Sequence, residues 1–290
     1  MSATAAGGVP LRFQVGARTL FAVRRRLVRV PWSLADALSG SAPPLPPLRP
    51  EDHGYLVTSV PEAMLDRVGS RGALVHVRQR YARCFVDLRL GAEAWWAGLS
   101  ANARSLLGRK ARRLRGEVSR HATPDEIAAF LPPARAVAAT TYQQRLLGAA
   151  LPGDAEAAAM AAGDALRGWL LHRDGRPVAF LLCSAQGATL RYDHVGHDPA
   201  AGELSPGAVL MAAALRDLFA DRFARFDFLE GDGRHKRLFA TGGVECCDVL
   251  LLRRTLANRI LASALAGFDA VVAWAGGSDR LRRWTHALRR

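Results

Sequence analysis

Lysine is almost absent from this chain. Of its 290 residues 40 are basic, yet only Lys110 and Lys236 are lysines, and the rest are arginines. Such a bias, joined to heavy use of alanine, is the mark of a GC-rich genome. It leaves the two lysines conspicuous wherever an arginine would have served as a plain surface cation. Acidic residues are also few, 26, so the formal charge is +14. Arginine binds phosphate and carboxylate in a fork, so anionic substrates, nucleic acid or an acidic membrane surface are the partners this charge favours.

Other absences narrow the field. Four cysteines show no metal spacing, and the adjacent Cys246 and Cys247 sit in a strand-like run that points them to opposite faces. That arrangement excludes a shared metal or an easy disulfide and fits reduced thiols in a cytoplasmic protein. The N-terminal stretch MSATAAGGVPLRFQVG has neither a charged n-region nor an apolar h-region, so no secretory signal is expected. The longest apolar stretch, residues 260–277, is interrupted by Asp269 and falls short of the roughly 20 residues a spanning helix needs. A soluble protein is expected. No RNA-binding RNP motif, zinc-finger spacing or helix-turn-helix pattern occurs, so base readout is not expected. No serine or cysteine carries an activating pattern, so neither does a covalent intermediate.

What is present suits a folded core: half the residues are hydrophobic and 23% are charged. The length allows one large domain or two ordinary ones. Alternation over residues 11–30 predicts strands or a hairpin about Gly16, and the proline-rich SGSAPPLPPLRPEDHG predicts a loop. GYLVTSVP and GALVHVRQRYARCFVDLRL read as strands, with a helical PEAMLDRV between them. Trp95, Leu99, Leu106, Leu107 and Leu114 recur at helical spacing, which predicts one helix from Glu93 to Glu117. Its second half carries Arg104, Arg109, Lys110, Arg112, Arg113 and Arg115, either a solvated face or a phosphate-contacting one. Thr123, Pro124, Asp125 and Glu126 open another helix, which Pro132 and Pro133 are expected to break before a further helix into Tyr142 and Leu147. DAEAAAMAAGDALRGW is read as helix. Three apolar runs follow, separated at Asp174-Gly175 and Gln186-Gly187, and predict an antiparallel meander. A helix in SPGAVLMAAALRDLFAD, strands RFDFLEG and CCDVLLLR and a helical C-terminus complete an α+β order with a mixed, mostly antiparallel sheet flanked by helices.

That order resembles the acyltransferase fold of the GNAT superfamily. TTYQQRLLG, GRPVAFLL, LRYDHVGHDPAAGELSPGAVLMAAAL and FDFLEGDGRHKRLFA, in that sequence, resemble the BioF2-like/CelD-like acetyltransferase family, relatives of the FemAB aminoacyl transferases. The likeness covers about residues 95–245. By analogy with the tandem halves of FemAB proteins it implies a degenerate GNAT-like half at 1–92, a GNAT acyltransferase domain at 93–254 and a basic helical tail at 255–290. It implies an N-acyltransferase that uses acetyl-CoA or another acyl-CoA and no metal. The acceptor would be a small molecule or a glycan or peptide precursor, as in envelope or exopolysaccharide synthesis. Two alternatives stand beside this: a FemAB-like enzyme with charged tRNA as donor, and a non-catalytic scaffold.

Acyl transfer to an amine requires a hold on the donor's anionic tail, stabilisation of an oxyanion, and removal of a proton from the ammonium. For the first, Ser205 as a cap, Pro206 at the first helical position, Gly207 and Ala208 offer a helix N-terminus. The Arg/Gln-x-x-Gly-x-Gly/Ala loop usual in GNAT enzymes is missing there, which leaves room for another donor. For the second, GDGRHK matches the family's Gly-Asp…Tyr-Lys signature with His235 in the tyrosine's place. Lys236 would stabilise the oxyanion or clamp a phosphate, with Asp232 orienting it and Glu230 as the alternative carboxylate. His194 and His235 are candidate bases. Tyr192 is expected on the strand face of His194, opposite to His197. Tyr142 and Gln143 match the family's aromatic–Gln pair and would line the acceptor cleft. The tail RRWTHALRR suits an anionic membrane surface, a peripheral contact.

Overall fold

The computed structural model describes residues 4–15, 18–69, 72–140, 151–231 and 233–277. Gly16, Tyr142, Gln143, Leu147, Asp232 and the tail from residue 278 lie outside the described residues. Strands β1 (Thr4–Val15) and β2 (Arg18–Pro31) precede α1 (Leu34–Ser39), β3 (Gly54–Pro61), the short α2 (Leu65–Gly69) and β4 (Leu74–Asp87). Next come α3 (Ala92–Gly98), α4 (Ala101–Leu114), β5 (Glu117–His121), α5 (Pro124–Thr140) and α6 (Asp154–Ala162). Then follow β6 (Leu166–Arg173), β7 (Arg176–Gln186), β8 (Thr189–His197), α7 (Pro206–Leu218) and β9 (Arg225–Asp227). The last elements are α8 (Arg234–Phe239), β10 (Gly242–Leu252) and α9 (Leu256–Gly277).

The chain divides into two compact units, residues 1–81 with 244–290, and residues 82–243. In the first, β1 and β2 are antiparallel, β2 and β3 parallel, β3 and β10 antiparallel. Strand alternation gives this unit two apolar layers. Leu27, Leu56, Leu250 and Leu252 pack with Leu261 and Leu265 of α9, while Val28, Val57, Val249 and Leu251 surround Trp32. Asp248 is buried there and accepts hydrogen bonds from the Ser59 N–H, Gln79 and Tyr81.

In the second unit β5, β6, β7 and β8 form the antiparallel meander, turned at Asp174-Gly175 where both residues are left-handed. A crossover through α7 brings β9 parallel to β8, and β9 pairs antiparallel with the second half of β4. Ala179, Leu181 and Cys183 of β7 face a core shared with α4 and α7, whereas Phe180 and Leu182 face a core shared with α5 and α6. Both units are α+β, mixed and mostly antiparallel with flanking helices, as the sequence predicts. All four cysteines are buried, and none is in a disulfide.

Three local expectations are corrected. The helix expected over residues 93–117 is two helices, because Leu99 is extended and Ser100 restarts the chain, its hydroxyl accepting from the Ala103 N–H at 3.2 Å. Its end gives way to β5: Arg115 is left-handed, and a Cβ on Gly116 would meet the Leu171 side chain at 2.7 Å and the His172 carbonyl at 2.8 Å. Pro132 and Pro133 do not break α5, since Ile127, Phe130, Leu131, Ala134, Val137 and Ala138 on one face are buried through the prolines, and that packing outweighs the lost backbone bonds. The helix expected through Trp169 stops at Ala162: Asp164 is left-handed, and Leu166 already pairs with Ser184 as strand.

Candidate active site

A cavity of about 480 Å³ opens between β8 and the start of α7, closed on a third side by α8. Strand β8 contributes Tyr192, Val195, Gly196 and His197, and the turn after it Pro199 and Gly202. Helix α7 contributes Ser205, Gly207, Ala208 and Met211, and α8 contributes His235 and Phe239. The predicted Ser205, Gly207, Ala208, Tyr192 and His235 therefore come together on one wall or another. Pro206 is buried at the first helical position.

Which β8 side chains reach this cavity depends on one extra residue. Leu182 pairs with His194 and Cys183 with Tyr192, so Asp193 is a bulge. Its carboxylate accepts from the Ser184 N–H at 2.7 Å and from the Ser184 hydroxyl. The bulge puts Tyr192, Val195 and His197 on the α7 side and turns His194 to the side of Leu182 and Phe180. The expectation that Tyr192 and His194 share a face is thus corrected, and His197 stands where His194 was expected. A Cβ on Gly207 would lie 3.8 Å from His197 Nδ1, so that ring borders the helix start.

Ser205 occupies the N-cap position in a left-handed conformation, φ 50°, but its side chain makes no capping bond. Its hydroxyl accepts instead from Lys110 of α4. Its carbonyl takes the Ala208 and Val209 N–H groups at 3.0 and 3.3 Å. An ammonium, a hydroxyl and the positive end of the α7 dipole thus meet at one corner of the cavity.

The second lysine lies near another lining residue, Tyr192. Lys236 Nζ donates to the carbonyls of Phe228, at 2.8 Å, and Glu230, and lies 5.9 Å from the Tyr192 ring centroid. Burial lowers its pKa, opposed by Cys84, Asp227 and Glu230. Burial, and then the charge of Lys236, lowers the pKa of His235. Burial also pushes the Tyr192 phenol far above its usual range, so it stays protonated near neutrality. The Glu230 side chain is exposed. Among the described residues no group of His, Cys, Asp and Glu is placed to hold a metal ion.

The loop that presents Lys236's two carbonyls has a buried anchor. Asp227 is fully buried and pairs with Arg83 in a fork, 3.1 and 2.5 Å, and its Oδ1 also accepts from the Leu229 N–H at 2.9 Å. Leu229 is held left-handed at φ 59°. At the far end of α8 the Trp95 indole donates to the Phe239 carbonyl at 2.9 Å. Lys110, read from the sequence only as part of a basic helix, and His197 and Arg83 were not among the candidate site residues. Only Lys110 carried a usable signal, as the other lysine of an arginine-rich chain.

Residues 101–237 match the acetyltransferase (GNAT) domain family. The C-terminal (DUF2156) domain of a protein assigned as a lysylphosphatidylglycerol synthetase from Agrobacterium fabrum superposes with a TM-score of 0.52 at 12% identity, over 74% of this chain and 72% of that one. FemX superposes with a TM-score of 0.53 at 8% identity, over 89% of this chain and 91% of that one. None of the curated proteins matches the sequence. The chain has a GNAT-superfamily fold, shared with FemX, and the acetyltransferase domain match over residues 101–237 supports a transferase enzyme.

Proposed function

We propose that the chain is an N-acyltransferase that moves an acyl group, acetyl in the simplest case, from acyl-CoA to an amine by direct transfer. The observation that carries this reading is that the two lysines of a chain that otherwise uses arginine each reach a residue lining one cavity, Lys110 the Ser205 hydroxyl and Lys236 the Tyr192 ring. The start of α7 and Lys110 fit the donor's phosphates. Pro206 has no N–H, and those of Ser205 and Ala208 go to the carbonyls of Gly202 and Ser205. The Gly207 N–H, the Ser205 hydroxyl, the helix dipole and the Lys110 ammonium are therefore what favour an anion there. The FemAB-type fold suggests an envelope or exopolysaccharide precursor as acceptor, met in the cytoplasm, and residues 1–92 as a degenerate GNAT-like half.

His235, an exposed residue whose pKa partial burial and the charge of Lys236 both lower, takes the proton from the acceptor's ammonium. Lys236 spends two of its three N–H donors on the carbonyls of Phe228 and Glu230 and keeps one for the developing oxyanion. As the C–S bond breaks, the second proton of the attacking nitrogen passes to the departing thiolate, and the Tyr192 phenol, kept neutral by burial, can donate a hydrogen bond to that sulfur. Glu230, whose side chain is exposed, is a carboxylate that attracts the acceptor's ammonium. The roles of Asp232 beside it in sequence, and of Tyr142 and Gln143 toward the acceptor, rest on the family resemblance. His194 is set aside from this chemistry because the bulge turns it away.

Thermal shift with acetyl-CoA, free CoA and longer acyl-CoAs tests the reading. A ligand at a hundred times its dissociation constant adds about 2.7 kcal/mol of stability. Lys236→Met should keep that shift and lose turnover; no shift with any of the three sinks the CoA reading. One observation favours a second reading with charged tRNA as donor. Arg109, Arg112, Arg113, Arg115 and Arg173 line an open groove of about 790 Å³ that also includes Leu204, next to Ser205. In that case tRNA binds, and its affinity falls steeply with salt.

A further inference from the structure

Helix α9 is apolar on two sides. Leu261 and Leu265 are buried against β1, β2, β3 and β10, with Phe268 packed beside them. At about 100° per residue, Leu256, Ile260, Gly267, Val271 and Trp274 fall on a separate stripe. Its four large side chains are 76%, 63%, 62% and 75% exposed. Single exposed apolar residues are ordinary, but a row that runs the length of a helix marks an interaction surface. The β1–β2 pair widens it. Phe21, itself exposed, stacks on Phe13 at 4.1 Å between centroids, and Phe13 meets Phe268 edge-on at 5.3 Å.

We propose that this face docks on an anionic lipid surface, with α9 lying along the interface. Charge selects the occupant. The unit made of residues 1–81 and 244–290 holds 19 of the 40 basic residues and 9 of the 26 acidic ones, and so ten of the fourteen net positive charges. Arg254 and Arg259 are exposed near the start of α9, and the sequence beyond it continues with Arg280, Arg282, Arg283, Arg289 and Arg290. Asp269, the one carboxylate of α9, is turned to His76, with Nε2 and Oδ2 3.3 Å apart. A second copy of the chain would bring like charge to the same face; an anionic bilayer brings the opposite charge and an apolar layer for Trp274 and Ile260. No helix of the described residues is long and apolar enough to cross a membrane, so α9 rests on the surface.

Flotation of the full chain with vesicles of phosphatidylcholine alone, and of phosphatidylcholine mixed with phosphatidylglycerol, tests this independently of any transferase activity. The chain should float with the anionic vesicles, stay behind with the neutral ones and be released by salt. Ile260→Glu with Trp274→Glu should cut partition about tenfold or more, because two charges replace the apolar contact. Both positions are exposed, so the variant should unfold at the parent's temperature. Should it misfold, bromine-labelled lipid chains decide: they should quench parent fluorescence, and less of it in Trp274→Phe. Equal flotation of parent and variant, no flotation with either vesicle, or unchanged quenching in Trp274→Phe overturns the proposal. So does a solution dimer that the double substitution splits into monomers, which would make a second copy the occupant.

Discussion

Lys110, in the last turns of α4, donates a hydrogen bond to the hydroxyl of Ser205, 95 residues away at the start of α7. A cation is thereby held against the positive end of a helix dipole, an arrangement that an anion stabilises and a cation does not. Ser205 gives up the capping bond its position would normally make.

Replacing that lysine should therefore weaken the donor more than the fold. In Lys110→Met the stabilisation by acyl-CoA should shrink, with the dissociation constant rising about 10- to 100-fold, the worth of one charge-assisted hydrogen bond of roughly 1.5–3 kcal/mol. Isothermal titration measures it. Unchanged affinity would remove Lys110 from the site, and with it the argument from the two lysines.

The pair Arg83–Asp227 is predicted to matter for stability first. Its side chains are 3% and 0% exposed, and removing one partner leaves a buried charge uncompensated. Asp227→Asn or Arg83→Met should cost about 3–5 kcal/mol by urea unfolding, a large part of a domain's stability. The double change Arg83→Met with Asp227→Leu should recover part of that, since two apolar side chains leave no orphan charge. A loss below about 1 kcal/mol in the single variants, the range of an exposed pair, would contradict the burial described.

Acidification should destabilise the protein earlier than carboxylate titration would. His76, His121, His194 and His235 all have lowered pKa values, with burial the leading cause in each. The unfolded chain takes up protons near the ordinary histidine value of about 6.5, while the native histidines resist. Stability should be full above that pH and decline as pH falls toward the native values. Burial raises Asp221, but Arg167, the Arg222 N–H and Arg120 outweigh it and hold it at about 2, so its contribution survives to much lower pH. Urea midpoints at pH 7.5 and 5.5 should differ in that direction; equal midpoints would show that the histidines titrate normally.

The meander of β6, β7 and β8 was legible because its three strands are apolar runs separated by the Gly-containing turns at Gly175 and Gly187, and α7 because Pro206 follows its cap position. What escaped was decided by neighbours distant in sequence. Leu99 and Ser100 fit the helical period, yet the chain breaks there. Pro132 and Pro133 read as a stop, yet Phe130 and Leu131 before them and Ala134 after them are buried in one core. For the candidate site, Lys236, His235 and Ser205 were singled out by local signatures, and they lie on or near one cavity. Lys110 could not be placed, because its partner lies on another element, and Arg83 looked like one more arginine on a strand.

Asp193 puts the two ends of β8 out of phase. It is the extra residue of the bulge: without it Tyr192 and His194 would follow one another opposite Cys183 and Leu182, and Val195 and His197 would keep their side of the strand. Deletion at this one position therefore leaves the cavity wall as it is and removes only the carboxylate that holds Ser184. Were Asp193 instead to take a place in the ladder, His194 and Gly196 would turn to the cavity side and Val195 and His197 away from it. The two ways of losing a bulge thus have opposite effects, and among homologous chains a gap aligned with Asp193 would mark the harmless one.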